Sequence, residues 1–233
     1  MTATDKMTDA AVAARPVIDA REPVDMRTTT PGDFPQFLGP RRNLVVTGVA
    51  LARDWTTYRP RQLWRQPIGA GWSGFTAVNG FAVTMEQRGP EELVTCYEVT
   101  TGRLRWAHAW AARYETMSGG VGPRSTPTIA DGLVYAITDT KVFFVFDPQK
   151  REVTHREDFS AYGGPAALGM HTGPDGNIYA LMTKAVVRVT PGSLEHESLG
   201  QPPAGVGAGG ALVDGVLYYS AGSHVWAFDV PGL

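Results

Sequence analysis

Val78-Asn79-Gly80-Phe81-Ala82-Val83, Ala130-Asp131-Gly132-Leu133-Val134-Tyr135, Pro174-Asp175-Gly176-Asn177-Ile178-Tyr179 and Val213-Asp214-Gly215-Val216-Leu217-Tyr218 are four copies of one pattern. Each opens with a tight turn and runs into an apolar, β-branched or aromatic strand. Asn-Gly and Asp-Gly are strong two-residue hairpin signals because both central positions tolerate positive φ. Gly80, Gly132, Gly176 and Gly215 lie 52, 44 and 39 residues apart by their numbers. A recurrence near ~40–50 residues with several short strands per unit is the mark of propeller blades. The expected fold is an all-β propeller of about four blades, each a four-stranded antiparallel sheet.

Working outward from the turns, the first unit reads as strands at 74–78, 81–87, 93–97 and 104–109. The second has strands at 126–129, 133–138, 141–146 and 152–158, and the third at 166–172, 178–182, 185–190 and 195–199. The fourth has three, at 210–213, 216–220 and 224–230, and lacks an outer one. Residues 62–68, Gln-Leu-Trp-Arg-Gln-Pro-Ile, read as an orphan outer strand. Donated to the last blade, this strand would close the ring and remove two exposed sheet edges. The expected units therefore lie near 71–115, 122–160, 166–200, and 205–230 with 62–68, in a propeller domain spanning 34–233.

The 233 residues carry a net charge of −2, with 19% charged residues, which leaves no basic footprint for nucleic acid. Glycine (27) and proline (17) suit a chain rich in turns. The single cysteine, Cys96, excludes an internal disulfide and a cysteine-cluster metal site, and leans towards a reducing compartment. Residues 1–33 lack the sustained apolar run of a signal peptide or membrane span, so they are expected to be a disordered tail on a soluble protein. The compartment itself stays open.

Leu93-Val94-Thr95-Cys96-Tyr97-Glu98-Val99-Thr100-Thr101-Gly102-Arg103-Leu104-Arg105-Trp106 resembles the tryptophan-docking repeat of pyrroloquinoline-quinone-like (PQQ-like) propellers. In that repeat an acidic turn, Thr-Gly and a strand-borne tryptophan lock neighbouring blades. Asp33 to Asn43 is similar to the segment that precedes the first blade in many bacterial members, and Leu63 to Gly69 and Gly122 to Thr128 match as well. The likeness is specific over about residues 33–147; units three and four keep the blade grammar without the docking tryptophan. The resemblance implies one of two roles. Catalytic members oxidise alcohols or sugars with seven or eight blades, a quinone and calcium in a central funnel, and often a vicinal cysteine pair that this chain lacks. Non-catalytic scaffolds, including a lipoprotein of the outer-membrane β-barrel assembly machinery, need no cofactor. The lipid-bearing cysteine after a signal peptide that marks that lipoprotein is also missing from this chain.

Chemical motifs are few. Gly205-Val206-Gly207-Ala208-Gly209-Gly210 satisfies G-x-G-x-x-G but leads into a strand, so no helix amino terminus awaits a pyrophosphate. Gly71-Trp72-Ser73-Gly74 has the wrong glycine spacing for a nucleophile elbow. No two of the five histidines have the i, i+4 spacing of a helical zinc site, and only His171 falls near an expected channel mouth. Glu86, Arg88 and Arg124 form the most promising polar set, since guanidinium forks suit carboxylates and peptide carbonyls. Glu91 and Glu92 belong to the same hairpin. Trp64 and Trp106 are expected between blades, and Trp72 at the entrance of the first inner strand, where it can stack on a ligand. The alternative for each is structural: a salt-bridged hairpin, a packed core histidine, an inter-blade tryptophan.

The reading is a non-enzymatic binding or scaffold module that engages a protein or small ligand through rim loops, with Trp72, Glu86, Arg88, Arg124 and His171 as ligand-binding residues, no catalytic or metal site, and no cofactor. The alternative is a quinoprotein-like oxidoreductase, or a fragment of one, with PQQ and calcium in a funnel around Arg124. A native four-blade ring would be a monomer; a half ring left by an internal deletion would dimerise edge to edge.

Overall fold

A computed structural model describes residues 23–117, 119–163, 165–200, 206–213, 215–221 and 224–229. The expectations for residues 1–22, and the glycine run at its start, lie outside the described residues. The chain lays down one antiparallel meander after another. Strands β1 (Thr76–Val78), β2 (Phe81–Arg88), β3 (Glu91–Glu98) and β4 (Leu104–Ala111) form the first sheet in sequence order. A short hairpin, β5 (Glu115–Thr116) and β6 (Gly120–Val121), leads to β7 (Thr128–Ala130), β8 (Leu133–Ile137), β9 (Val142–Asp147) and β10 (Glu152–Asp158). A single 3₁₀ turn, Ser160–Tyr162, precedes the third sheet: β11 (Pro165–Thr172), β12 (Ile178–Met182), β13 (Val186–Val189) and β14 (His196–Gly200). Among the described residues the fourth holds three strands, β15 (Val206–Val213), β16 (Val216–Ala221) and β17 (His224–Asp229).

The turns behave as their residues dictate. Asn79 and Gly80 have φ of 51° and 80°, and Asp131 and Gly132 have 50° and 77°. Two successive positive φ angles make the tight hairpin whose twist matches the flanking strands. The all-β expectation and the four-stranded antiparallel sheets hold.

Strands buried on both faces divide their side chains by parity, and β8 and β9 show how. Val134, Ala136, Phe144 and Phe146 point into a core shared with Val83, Met85, Val94, Cys96 and Trp106 of the first sheet. Their neighbours Tyr135, Ile137, Phe143 and Val145 point into a second core with Met170, Ile178, Ala180 and Val187 of the third. The sheets therefore stack face to face like blades. Trp106 meets Phe146 at 4.4 Å between ring centroids, and Phe143 stacks on Phe159 at 5.0 Å. Each such wholly buried side chain contributes about 1.5–3 kcal/mol by apolar burial.

The segment ahead of the first sheet is ordered, which corrects the tail boundary placed at residue 33. Val24 and Met26 are buried in the first core. Downstream, three consecutive residues tie the inner strands of three sheets. Phe34 exchanges both backbone hydrogen bonds with Ala77 of β1, at 2.7 and 2.8 Å. The Pro35 carbonyl accepts from Ile129 N–H of β7 at 2.8 Å, and Gln36 Oε1 accepts from Thr172 N–H of β11 at 2.8 Å. Proline fits here because only its carbonyl is used.

The expected closing strand is a second correction. Residues 62–68 form no strand, and the fourth sheet ends at β17 among the described residues. The reason lies in Trp64, whose indole N–H donates to the Val99 carbonyl at 2.8 Å, while its ring covers Gly102 in the β3–β4 turn. That anchor holds the segment against the first sheet.

Two substitutions test these ties. Gln36→Leu removes the acceptor for the half-buried Thr172 N–H, and should lower stability by about 1–3 kcal/mol in urea denaturation. Gly102→Ala places a Cβ 2.5 Å from the Trp64 ring at a φ of +71°, so it should destabilise by at least about 1 kcal/mol and alter Trp64 fluorescence.

Candidate functional site

Two loops enter the inner strands of the first and second sheets, and hydrogen bonds fasten them together. Trp72 N–H donates to the Pro123 carbonyl at 2.8 Å, and Gly74 N–H to Thr126 Oγ1 at 2.9 Å. The Trp72 indole N–H donates to the Gly119 carbonyl at 2.7 Å. Trp72 nevertheless leaves 70% of its surface in solvent. Beside it, Arg124 lies near two rings, its guanidinium carbon 5.9 Å from the Trp72 centroid and 5.5 Å from that of Tyr114. Arg124 Nη2 donates to the Gly120 carbonyl at 2.8 Å and to Thr116 Oγ1 at 3.3 Å. Its backbone N–H donates to Asp139 Oδ2 at 2.8 Å. Met117 and Phe75 are exposed on the adjoining loops. The result is a rigid aromatic platform built around a cation.

Glu86 and Arg88 stand apart from that platform. Both lie on the face of β2 turned away from the second sheet and are buried. Glu86 Oε2 accepts from Arg88 Nε at 3.1 Å and from Gly69 N–H, and Glu86 Oε1 accepts from the Tyr97 hydroxyl at 2.9 Å. Arg88 Nη2 reaches the Pro67 carbonyl at 3.4 Å. Burial, reinforced by the Glu86 carboxylate, pushes the Tyr97 phenol well up from its ordinary value. This set braces residues 67–69 against β2. His171 sits on β11 opposite Tyr179 in the register; its side chain lies outside the described residues. Of the five residues expected to bind ligand, the structure joins Trp72 with Arg124 and pairs Glu86 with Arg88 elsewhere. Tyr114, the second ring over Arg124, gave no signal in the sequence because it follows a loop of no regular pattern.

Glu92 is the least expected group. It is wholly buried between the first and second sheets, and neither carboxyl oxygen accepts a hydrogen bond among the described residues. Burial pushes its carboxyl up to about 8, and the Asp139 carboxylate from the second sheet adds to the rise. The Trp110 indole, which offsets part of that rise, closes no hydrogen bond with it. Asp139 is itself raised by burial, against the lowering effect of Arg124.

At the far ends of the inner strands, an open cavity of about 630 Å³ lies between residues 26–40 and the hairpins of the first three sheets. Its polar lining is largely engaged: the Asp33 carboxylate accepts from Thr30 N–H and Oγ1, both at 2.7 Å, and from Asn79 N–H at 3.0 Å. The Arg27 side chain lies over Gly132.

Fold and site together define an all-β protein of stacked, blade-like sheets with an aromatic–cation platform on one rim. No family model and no curated protein matches the chain. Among solved structures it is similar to hydrazine synthase of Kuenenia stuttgartiensis, with 16% identity and a TM-score of 0.46 over 65% of this chain and 43% of that one. The computationally designed Ika4 protein gives 11% identity and a TM-score of 0.47 over 73% and 99%. BamB of Moraxella catarrhalis gives 18% and 0.40 over 70% and 48%. The chain thus spans less than half of the hydrazine synthase and BamB chains. Among the described residues, no helix is long and apolar enough to cross a membrane.

Glu92 makes the site's pH response predictable. Its carboxyl sits near 8 in the folded protein and 4.5 in the reference state, so between those values the folded state holds a proton that the unfolded chain has released. Stability should therefore fall as pH rises from about 4.5 to 8, by on the order of 5 kcal/mol, and level off above. Urea midpoints measured across this range should slope for the wild type and flatten for Glu92→Gln.

Proposed function

We propose that this chain is a non-enzymatic, propeller-type binding module that engages a protein or peptide partner through the rim around Trp72, Arg124 and Tyr114. The observation that carries the reading is the contradiction at Trp72: its backbone and indole N–H groups are both fastened, yet most of the ring faces water. An aromatic ring already immobilised before binding loses little entropy when a partner covers it. Tryptophan, tyrosine and arginine are also the residues that dominate protein–protein binding energy. Exposed Met117 and Phe75 extend the same surface.

The rival reading, a quinone and calcium held around Arg124, fits these residues poorly. Arg124 Nη2 is engaged by Gly120 and Thr116, Nη1 is enclosed, and the guanidinium lies near the rings of Trp72 and Tyr114. The neighbouring Asp139 carboxylate already accepts from the Arg124 backbone. The inner edges of the first three sheets are bonded to Phe34, Pro35 and Gln36, so the chain itself takes the groups that would face a funnel.

Panning a displayed peptide library on the protein tests the proposal. Selected peptides should lose affinity by about thirtyfold in Kd with Trp72→Ala, the effect of a hot-spot residue worth about 2 kcal/mol. Peptides indifferent to that substitution, or saturable pyrroloquinoline quinone binding with calcium, would overturn it.

A further inference from the structure

Gln87 joins the buried acid Glu92 to the rim platform. It stands opposite Glu92 in the pairing of β2 with β3, and Glu92 stands opposite Trp110 on β4. The Gln87 amide donates to the Ala112 carbonyl at 2.8 Å and to the Gly89 carbonyl at 3.1 Å. Its Oε1 accepts from Tyr114 N–H at 3.4 Å. Its backbone exchanges hydrogen bonds with Ala70 at 2.7 and 3.1 Å, two residues before Trp72. Gln87 therefore sets the start of both loops that carry the platform rings. Across the seam, the Asp139 carboxylate that acts on Glu92 also holds the Arg124 backbone N–H. The neighbours of Glu92 on its two sides thus position Tyr114, Trp72 and Arg124.

The surroundings of Glu92 suit it only with its proton. Both Gln87 amide hydrogens go to carbonyls, so neither is left for the carboxyl. The Trp110 indole closes no hydrogen bond, and its ring packs edge-on against Phe144 of β9 at 4.9 Å. Of the charged groups on that face, Asp139 repels a carboxylate. Arg124 turns Nη2 to Gly120 and Thr116. His108, two residues before Trp110 on β4, is pushed down by burial and by Arg156 of β10, which keeps it neutral. An ionised Glu92 is then a wholly buried charge with no donor. Its relief lies in drawing the Gln87 amide from its carbonyls or displacing Asp139 from Arg124.

We propose that Glu92 is a proton-operated latch for the rim. With its proton on, Gln87 and Asp139 hold the platform ready for a partner; with the proton lost, one or both let go, the Trp72, Tyr114 and Arg124 groups shift, and affinity falls. This rests on the rim reading and adds its regulation. By reciprocity, a partner covering the platform must bind the Glu92 proton more tightly. Because the carboxyl is pushed up to about 8, the platform is held below that pH and released above it.

The Trp72 ring reports the latch without any partner. Wild-type emission less that of Trp72→Phe should change with a midpoint near pH 8, and the same difference taken in a Glu92→Gln background should stay flat. Asp139→Asn, which removes the facing carboxylate, should move the midpoint down and serves should Glu92→Gln fail to fold. A peptide selected on the rim at pH 7 should bind the wild type about tenfold more weakly at pH 9.5, an ordinary coupling between sites. It should bind Glu92→Gln equally at both. A flat Trp72 signal in the wild type overturns the latch, as does a transition that Glu92→Gln retains or an Asp139→Asn midpoint that does not move. Loss of circular dichroism at pH 9.5, showing that the whole fold opens, overturns it too. A Trp72 transition that Glu92→Gln abolishes, with no peptide bound, supports the latch and overturns the rim reading alone. Peptide binding that depends on Trp72 but not on Glu92 overturns the latch alone.

Discussion

The arrangement depends on disposing of the inner strand edges. A stack of separate four-stranded sheets leaves each first strand with unpaired N–H and C=O groups facing the middle, where burial without a partner costs about 1–3 kcal/mol per group. Phe34, Pro35 and Gln36 meet this constraint by giving each of three sheets an acceptor in turn. Only Phe34 pairs as a strand does. Pro35 gives a carbonyl alone, and Gln36 reaches with its side chain, its amide held in return by the Pro40 carbonyl at 3.2 Å. The segment can serve three sheets because it never commits to one register. The rim loops inherit this rigidity, since they begin where the inner strands end.

Two glutamates on one hairpin show how burial and partners together decide what a charge does. Glu86 and Glu92 are both wholly buried. Glu86 receives an arginine, a backbone N–H and a tyrosine hydroxyl. Glu92, on the opposite face, meets indole, apolar side chains and a second carboxylate, so it keeps its proton at neutral pH. The parity of β2 and β3 explains the split. Gln87, Glu92 and Trp110 are cross-strand neighbours on the face turned to the second sheet, whereas Glu86 and Arg88 share the other. A protonated Glu92 lets two acids face each other across a sheet–sheet seam without mutual repulsion.

The hairpins and strands were legible in the sequence because their causes are local: positive φ at Asn79-Gly80 and Asp131-Gly132, and β-branched runs on either side. The positions of Trp72 and Arg124 in the fold were legible too, each shortly before an inner strand. What could not be read were the long-range partners. Nothing near Val24 or Met26 announces burial against strands some 60 to 120 residues later, and the polar, threonine-rich sequence around them looks like a tail. Gln36 carries no signal of its bond to Thr172, 136 residues away. Residues 62–68 were read as an outer strand from pattern alone; they form no strand, and the Trp64–Gly102 contact holds them against the first sheet instead.

That contact bears on why tryptophan recurs at the outer margins. Trp64 covers Gly102, where only a residue without Cβ permits the ring to approach, and its indole N–H takes the Val99 carbonyl that the turn leaves open. Trp106 makes the corresponding approach to the second sheet through Phe146, with 2% of its surface exposed. Both tryptophans join a segment to the sheet that follows it by face contact, so the joint needs no continuous strand pairing.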